Sequence, residues 1–187
     1  MSRTDLVEDL KGILMDAALK FSAEDGADFW RHLDIAARDL SRVRRRTKLG
    51  SLTLVADQPN YPAPADILAP KLSNWGIPER RTRRPWAANW VGRLPTMRLV
   101  DNGGAQEIWL DPAPSAEQIA DLGADYKYFY FALHHIDADP AQTTVQPMDR
   151  PLLLIRAAAQ ALQELAHHNY TKPVQLGSNG VGAMPKN

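Results

Sequence analysis

Two pairs of adjacent histidines, His134-His135 and His167-His168, are the side chains in this sequence best suited to metal binding or proton transfer. Neighbouring histidines point in different directions on a strand or a helix, so neither pair is a two-ligand site by itself. A centre would need His134 brought beside His167 and Asp137, a tertiary arrangement that spacing does not supply. Capping, surface or interface roles are the simpler reading. No Gly-x-Ser-x-Gly supports a serine nucleophile, and the chain has no cysteine for thiolate chemistry. The glycine-rich GSNGVG at 177–182 lacks the Lys-Ser/Thr of a phosphate loop and any helix to open, and reads as a flexible segment. No catalytic constellation emerges, and the expectation is a protein that is not an enzyme and holds no cofactor or metal.

A second chemistry belongs to residues 71–98, KLSNWGIPERRTRRPWAANWVGRLPTMR. Trp75, Trp86 and Trp90 lie among Arg80, Arg81, Arg83, Arg84 and Arg93, and Arg44 and Arg45 sit in a further basic run at 42–48. Guanidinium on phosphate with indole on base would suit nucleic acid. Arginine and tryptophan are also the types that build protein interfaces. With no nucleic-acid motif around them, Arg44, Arg45, Arg80, Arg81, Arg83, Arg84, Trp86 and Trp90 read first as interface candidates.

The elements that must carry these groups emerge from periodicity. Residues 4–21 place Leu6, Leu10, Ile13, Leu14 and Ala17 on one helical face, with Thr4 or Asp5 as cap. Residues 22–27 break the pattern, with Gly26 available for a left-handed stop. A second helix over 28–43 turns Phe29, Trp30, Leu33, Ala36, Ala37 and Leu40 inward. GSLTLVA at 50–56 alternates as a strand, with Leu52, Leu54 and Ala56 on one side. The prolines of YPAP confine residues 61–64 to a sheet edge or strap anchored by Tyr61, and Asp66 can cap a short turn. Prolines at 78, 85 and 95 forbid a long helix in the arginine–tryptophan stretch.

Asp101-Asn102-Gly103-Gly104 predicts a hairpin turn, and AEQIADLG a short helix closed by Gly123. Residues 125–136 form the strongest strand. Its Tyr126, Tyr128, Tyr130 and Ala132 alternate with Lys127, Phe129, Phe131 and Leu133, so it should be central. A long helix over 149–169 presents Leu153, Ala157, Ala161 and Leu165 beside Leu154, Ala158 and Leu162.

The fold class expected is α+β, mainly helical. Two N-terminal helices plus a long C-terminal helix form a bundle, with an inserted small antiparallel β-sheet and a flexible C-terminal tail. The expected boundaries are a single domain over 1–170, made of a helical hairpin at 4–46, a β-rich insertion at 47–146 and the long helix at 149–169. The tail covers 171–187.

The 187 residues carry 22 Lys/Arg and 22 Asp/Glu. The neutrality hides a split: 13 Lys/Arg against 4 Asp/Glu over residues 38–98, and the opposite imbalance elsewhere. Basic and acidic regions on one molecule suit contact with its own copies or with a charged partner. No segment approaches the roughly 20 apolar residues of a membrane helix, and the first residues carry acids where a signal peptide is apolar. A soluble protein made in the cytoplasm is expected.

Taken together in order, LTLVADQPNYPAPAD (52–66), LDPAPSAEQIADLG (110–123), YFYFALHHI (128–136) and the Thr143-Thr144-Val145 approach to an alanine-rich last helix resemble the head–tail adaptor proteins of tailed bacteriophages. The resemblance covers roughly residues 4–170. It implies a structural virion protein, a ring of usually twelvefold symmetry between the capsid portal and the neck or tail. Such a ring extends the channel for genomic DNA without sequence-specific contact. The implied partners are copies of itself, the portal protein and a downstream stopper or tail-terminator protein, with no membrane.

In such proteins the C-terminal segment commonly docks on the portal. Here that assigns Tyr170, Lys172, Pro173, Val174, Leu176, Val181 and Met184 as docking candidates. Extended, the tail after the last helix would reach roughly 55–60 Å at about 3.3 Å per residue. The Trp/Arg-rich insertion at 71–98 departs from the family pattern. An alternative reading is a nucleic-acid-binding accessory protein that uses residues 42–48 and 80–93.

Overall fold

The computed structural model describes residues 1–21 and 26–170. They form the expected α+β class, with N-terminal helices and a long C-terminal helix packed together and two small antiparallel sheets between them in sequence. The chain divides into two compact units, Met1–Val43 with His134–Asn187, and Arg44–Leu133. Residues 134–146 thus cluster with the helices.

In the first unit, α1 (Arg3–Leu14), α2 (Ala27–Val43) and α5 (Arg150–Tyr170) share one core. The cap of α1 is Ser2 rather than Thr4 or Asp5. Its hydroxyl accepts from Asp5 N at 3.1 Å, while the Asp5 carboxylate accepts from Ser2 N at 3.0 Å, a reciprocal pair that satisfies two exposed amides. The helix does not run to residue 21. Met15 turns to φ 49° and breaks the i→i−4 ladder, and a 3₁₀ turn continues over Met15–Lys20. The inner stripe is Leu6, Val7, Leu10 and Leu14, which leaves Ile13 exposed.

Along α2 the apolar face is as expected, except that Trp30 lies half-buried beneath the Arg3 guanidinium, 5.5 Å from its ring. Small residues at Ala36, Ala37, Ala157, Ala158 and Ala161 let α2 and α5 approach closely. Arginine–carboxylate pairs join the helices at Arg150–Asp9, Arg156–Asp39 and Arg31–Glu164. As exposed pairs each contributes about 0–1 kcal/mol.

The second unit has two three-stranded sheets instead of the single sheet expected. The strands are β1 (Arg46–Thr53), β2 (Asn60–Pro62), β3 (Ile67–Ser73), β4 (Thr96–Asn102), β5 (Ala105–Asp111) and β6 (Asp125–Ala132). One sheet has the order β1-β6-β3 and the other β2-β5-β4. The proline-rich strap from Asn60 to Pro70 crosses between them, contributing one edge strand to each. Neither Pro62 nor Pro70 can donate to a ladder, and at an edge neither has to on both sides.

Tyr61 anchors the strap. It is buried, and its hydroxyl accepts from Val55 N at 3.0 Å and donates to Val55 O at 3.2 Å. Asp66 does not cap a turn. Its carboxylate accepts from Lys48 Nζ at 2.7 Å and Tyr130 Oη at 2.9 Å.

β6 is central, as its two apolar faces predict. It ends at Ala132, opposite the first residues of both neighbours, Arg46 and Ile67, with one further bond from Leu133 N to Asp66 O. The same pairing draws β1 back to Arg46, earlier than the alternation at 50–56 suggests, and leaves Ala56 exposed. The β4–β5 hairpin turns on Gly103 and Gly104 at φ 64° and 94°. Two short helices complete the unit, α3 (Ile77–Thr82) and α4 (Ala116–Leu122). Ser115 caps α4 and Gly123 closes it.

Candidate interaction surface

The arginine–tryptophan segment is a shaped loop pinned to α4. The Arg83 guanidinium pairs two-fold with the Asp121 carboxylate and donates to Asn89 O at 3.0 Å. The Gln118 amide donates to Val91 O at 2.8 Å and Arg93 O at 3.1 Å, and Val91 and Leu94 enter the core. Trp75 belongs to that core too, its indole N–H donating to Gly123 O at 2.9 Å. The Asp121 carboxyl is held below its ordinary value, chiefly by the hydrogen bond from Arg83.

The outward face of the pinned loop is narrower than its composition suggests. Arg80 lies 5.8 Å from the ring of Trp90, and Arg84 lies 5.4 Å from the ring of Trp86. Trp86 is 77% exposed. Guanidinium–indole contacts of this kind are attractive, and each narrows the conformations open to both side chains. Arg81 is exposed on α3. Arg83 is occupied within the fold and is a positioning residue for its neighbours.

Arg44 and Arg45 fall elsewhere, just before β1. Both are exposed, and Arg45 lies 5.1 Å from the ring of Phe131. Lys71 lies 5.4 Å from the same ring. On the side of Tyr130, Asp66 is shared by Lys48 at 2.7 Å and by Arg46 at 3.4 Å. Burial pushes the Asp66 carboxyl up, but the hydrogen bonds from Lys48 and Tyr130 and the Arg46 charge outweigh it and leave the group below its ordinary value.

In the first unit, apolar side chains lie outside a core that is already full. Leu152, Ile155 and Leu162 are 48%, 64% and 50% exposed on α5, so Leu162 leaves the inner face expected for it. A groove of about 230 Å³ between α2 and α5 is lined by Ala36, Leu40, Val43, Leu152 and Leu153, with the Asp39–Arg156 pair at its rim. A second of about 600 Å³ runs between α1 and α5 past Gly12, Ile13 and Ile155. The sequence carried the clue, since α5 has apolar residues on more of its circumference than one core can cover.

Tyr170, at the end of α5, is exposed. Lys172, Pro173, Val174, Leu176, Val181 and Met184 lie outside the described residues, as does the glycine-rich run at 177–182.

The histidines are dispersed. His134 is buried, its Nδ1 3.2 Å from Thr144 O, and His135, His167 and His168 are exposed. Asp137 spends its carboxylate on Asp139 N at 2.9 Å. Among the described residues no group of three His, Asp or Glu side chains is gathered to hold a metal, and no helix is long and apolar enough to cross a membrane.

A histidine that sequence reasoning passed over is the most enclosed of all. His32 on α2 is 1% exposed, packed edge-on to Phe21 at 5.4 Å, with neither ring nitrogen hydrogen-bonded and Glu164 3.6 Å away. A scan of protein-family models finds none that matches the chain, and a search of the curated proteins finds no similar sequence.

Proposed function

We propose that this chain is a structural adaptor of a tailed-bacteriophage neck. Copies of it form a ring, of twelvefold symmetry by the family resemblance, between the portal and a downstream stopper or tail-terminator protein. The ring surrounds the path of genomic DNA, and its place is the virion head–tail interface. The reading involves no membrane, no cofactor and no catalysis. The observation that carries it is the surplus of apolar surface on helices whose inner faces are already buried, at Ile13, Leu152, Ile155 and Leu162. Exposed apolar grooves of this kind mark protein contacts. Head-to-tail contacts between copies close into a ring when the rotation per copy divides a full turn.

Electron microscopy of the purified protein mixed with portal rings tests the reading. The expected image is a second annulus stacked coaxially on the portal. Protein that stays monomeric beside bare portals, together with virions whose collar lacks this polypeptide, overturns it.

The stacks of Arg80 on Trp90 and Arg84 on Trp86 favour one second reading, a nucleic-acid-binding accessory protein. That reading expects duplex retardation at low salt with affinity falling steeply as salt rises. Absence of such retardation removes it.

A further inference from the structure

The two sheets have four outer edges, and three of them are guarded against further strands. β3 carries Pro70 and two register shifts. β2 is only three residues and contains Pro62. β4 has β3 packed beside it. β1 is different. It is eight residues long, contains no proline, pairs with β6 without a register shift, and among the described residues has no strand on its other side. An unblunted edge of this length offers pairing to another chain unless something covers it.

Two bonds fix the direction of its backbone groups. Leu54 N donates to Ala124 O at 2.8 Å in continuation of the β1–β6 register, so the even-numbered residues of β1 face β6. On the far side of β6, Leu133 N donates to Asp66 O at 2.8 Å, the complementary parity. Thr47, Leu49, Ser51 and Thr53 therefore point their N–H and C=O groups away from the sheet, and all four are exposed. Their side chains share the open face with Phe129 and Phe131, where Leu49 and Leu72 are 58% and 45% exposed. The other alternate positions, Arg46 and Lys48, are cationic. Both pair with one carboxylate, Asp66, so two cations share a single acid on that face, while Arg45 and Lys71 add cations over Phe131 on the open face.

We propose that the outer edge of β1 receives an extended acidic segment of another protein as a fourth strand of the β1-β6-β3 sheet. The incoming strand alternates carboxylates, which meet Arg46 and Lys48, with apolar or β-branched residues, which lie against Leu49 on the open face. Backbone hydrogen bonds supply affinity and the alternation supplies selectivity. Pairing of β1 with β1 of a second copy would double the cations along the edge instead of neutralising them. A DNA strand would leave the alternating donors and acceptors of Thr47, Leu49 and Ser51 without matching groups. This proposal does not depend on the ring.

The test pans a random library of peptides, eight residues long like β1, against the full-length protein, and then measures amide hydrogen exchange with the peptides enriched. The expected peptides carry Asp or Glu at alternate positions, and they slow exchange at Thr47, Leu49 and Ser51 by about tenfold or more, leaving Lys48, Gly50 and Leu52 unchanged. Leu49→Pro removes an outward N–H that bears no ladder bond, so the fold survives and binding is lost. Lys48→Glu weakens binding of the acidic peptides by about tenfold. No enrichment, enrichment of basic peptides, or binding indifferent to Leu49→Pro overturns the proposal. Slowing of the same amides by duplex DNA, or by dimerisation of the protein alone, overturns it in favour of those occupants.

Discussion

At the scale of single residues, burial and charge set opposing demands on His32. Burial holds its imidazole below the ordinary histidine range, although the nearby Glu164 carboxylate pulls the other way. The unfolded chain then binds a proton near pH 6.5 that the folded helices refuse, so stability is fully present above that pH and falls as the pH drops below it. Denaturant midpoints of the first unit should decline from about pH 7.5 to about pH 5.5, and His32→Leu should flatten that decline. Equal pH dependence in both proteins would place the titration elsewhere. None of this was legible in the sequence, where His32 is one polar residue in a helix and only packing against Phe21 and α5 reveals that it is inside. The arginines teach the same lesson. Arg83 and Arg84 are neighbours of one type, yet the first is tied to Asp121 and the second is left over Trp86. Arg83→Ala should therefore loosen the loop and lower stability, whereas Arg84→Ala should leave the melting temperature unchanged and weaken only the association of the loop with its partner.

Among the elements, β1 and β6 are joined by a close approach that leaves no room for a side chain. A Cβ at Gly50 would lie 2.5 Å from Cζ of Tyr128, deep in the strand pair. Gly50→Ala should cost about 1–3 kcal/mol by overpacking, read as a lower urea midpoint at unchanged slope. Ser115→Ala, by removing the hydroxyl that accepts from Gln118 N at the start of α4, should cost about 1 kcal/mol, read as a lower urea midpoint. The helices, the Gly103-Gly104 hairpin, the capped α4 and the central strand could all be read from local pattern, because period, cap and turn chemistry lie within a few residues of one another. The division into two sheets could not. Which strand pairs with Asn60–Pro62 and which with Ile67–Ser73 is decided by β5 and β6, tens of residues away. β1 begins in a run of cations that no strand propensity favours, and it does so because β6 extends that far.

For the molecule as a whole, the charge asymmetry is gentler than a linear window suggests. Residues 44–133 carry 12 Lys/Arg against 9 Asp/Glu, and the remainder carries 10 against 13. The acids of β4 through β6 fold into the same unit as the arginine-rich stretch and offset much of it. Contacts between copies that match one unit's excess to the other's should weaken as salt shortens the screening length to about 8 Å near 0.15 M. Sedimentation at rising salt should show the proposed ring losing subunits, and insensitivity to salt would assign closure to the apolar grooves alone. Finally, the aromatic stack of the second unit has an optical consequence. Tyr126, Tyr128 and Tyr130 stand in a row that ends on Trp75, each ring centroid about 6 Å from the next. Light absorbed by those phenols should be handed to the indole and re-emitted there, so the unit carries a built-in fluorescent gauge of its own integrity, with no attached dye.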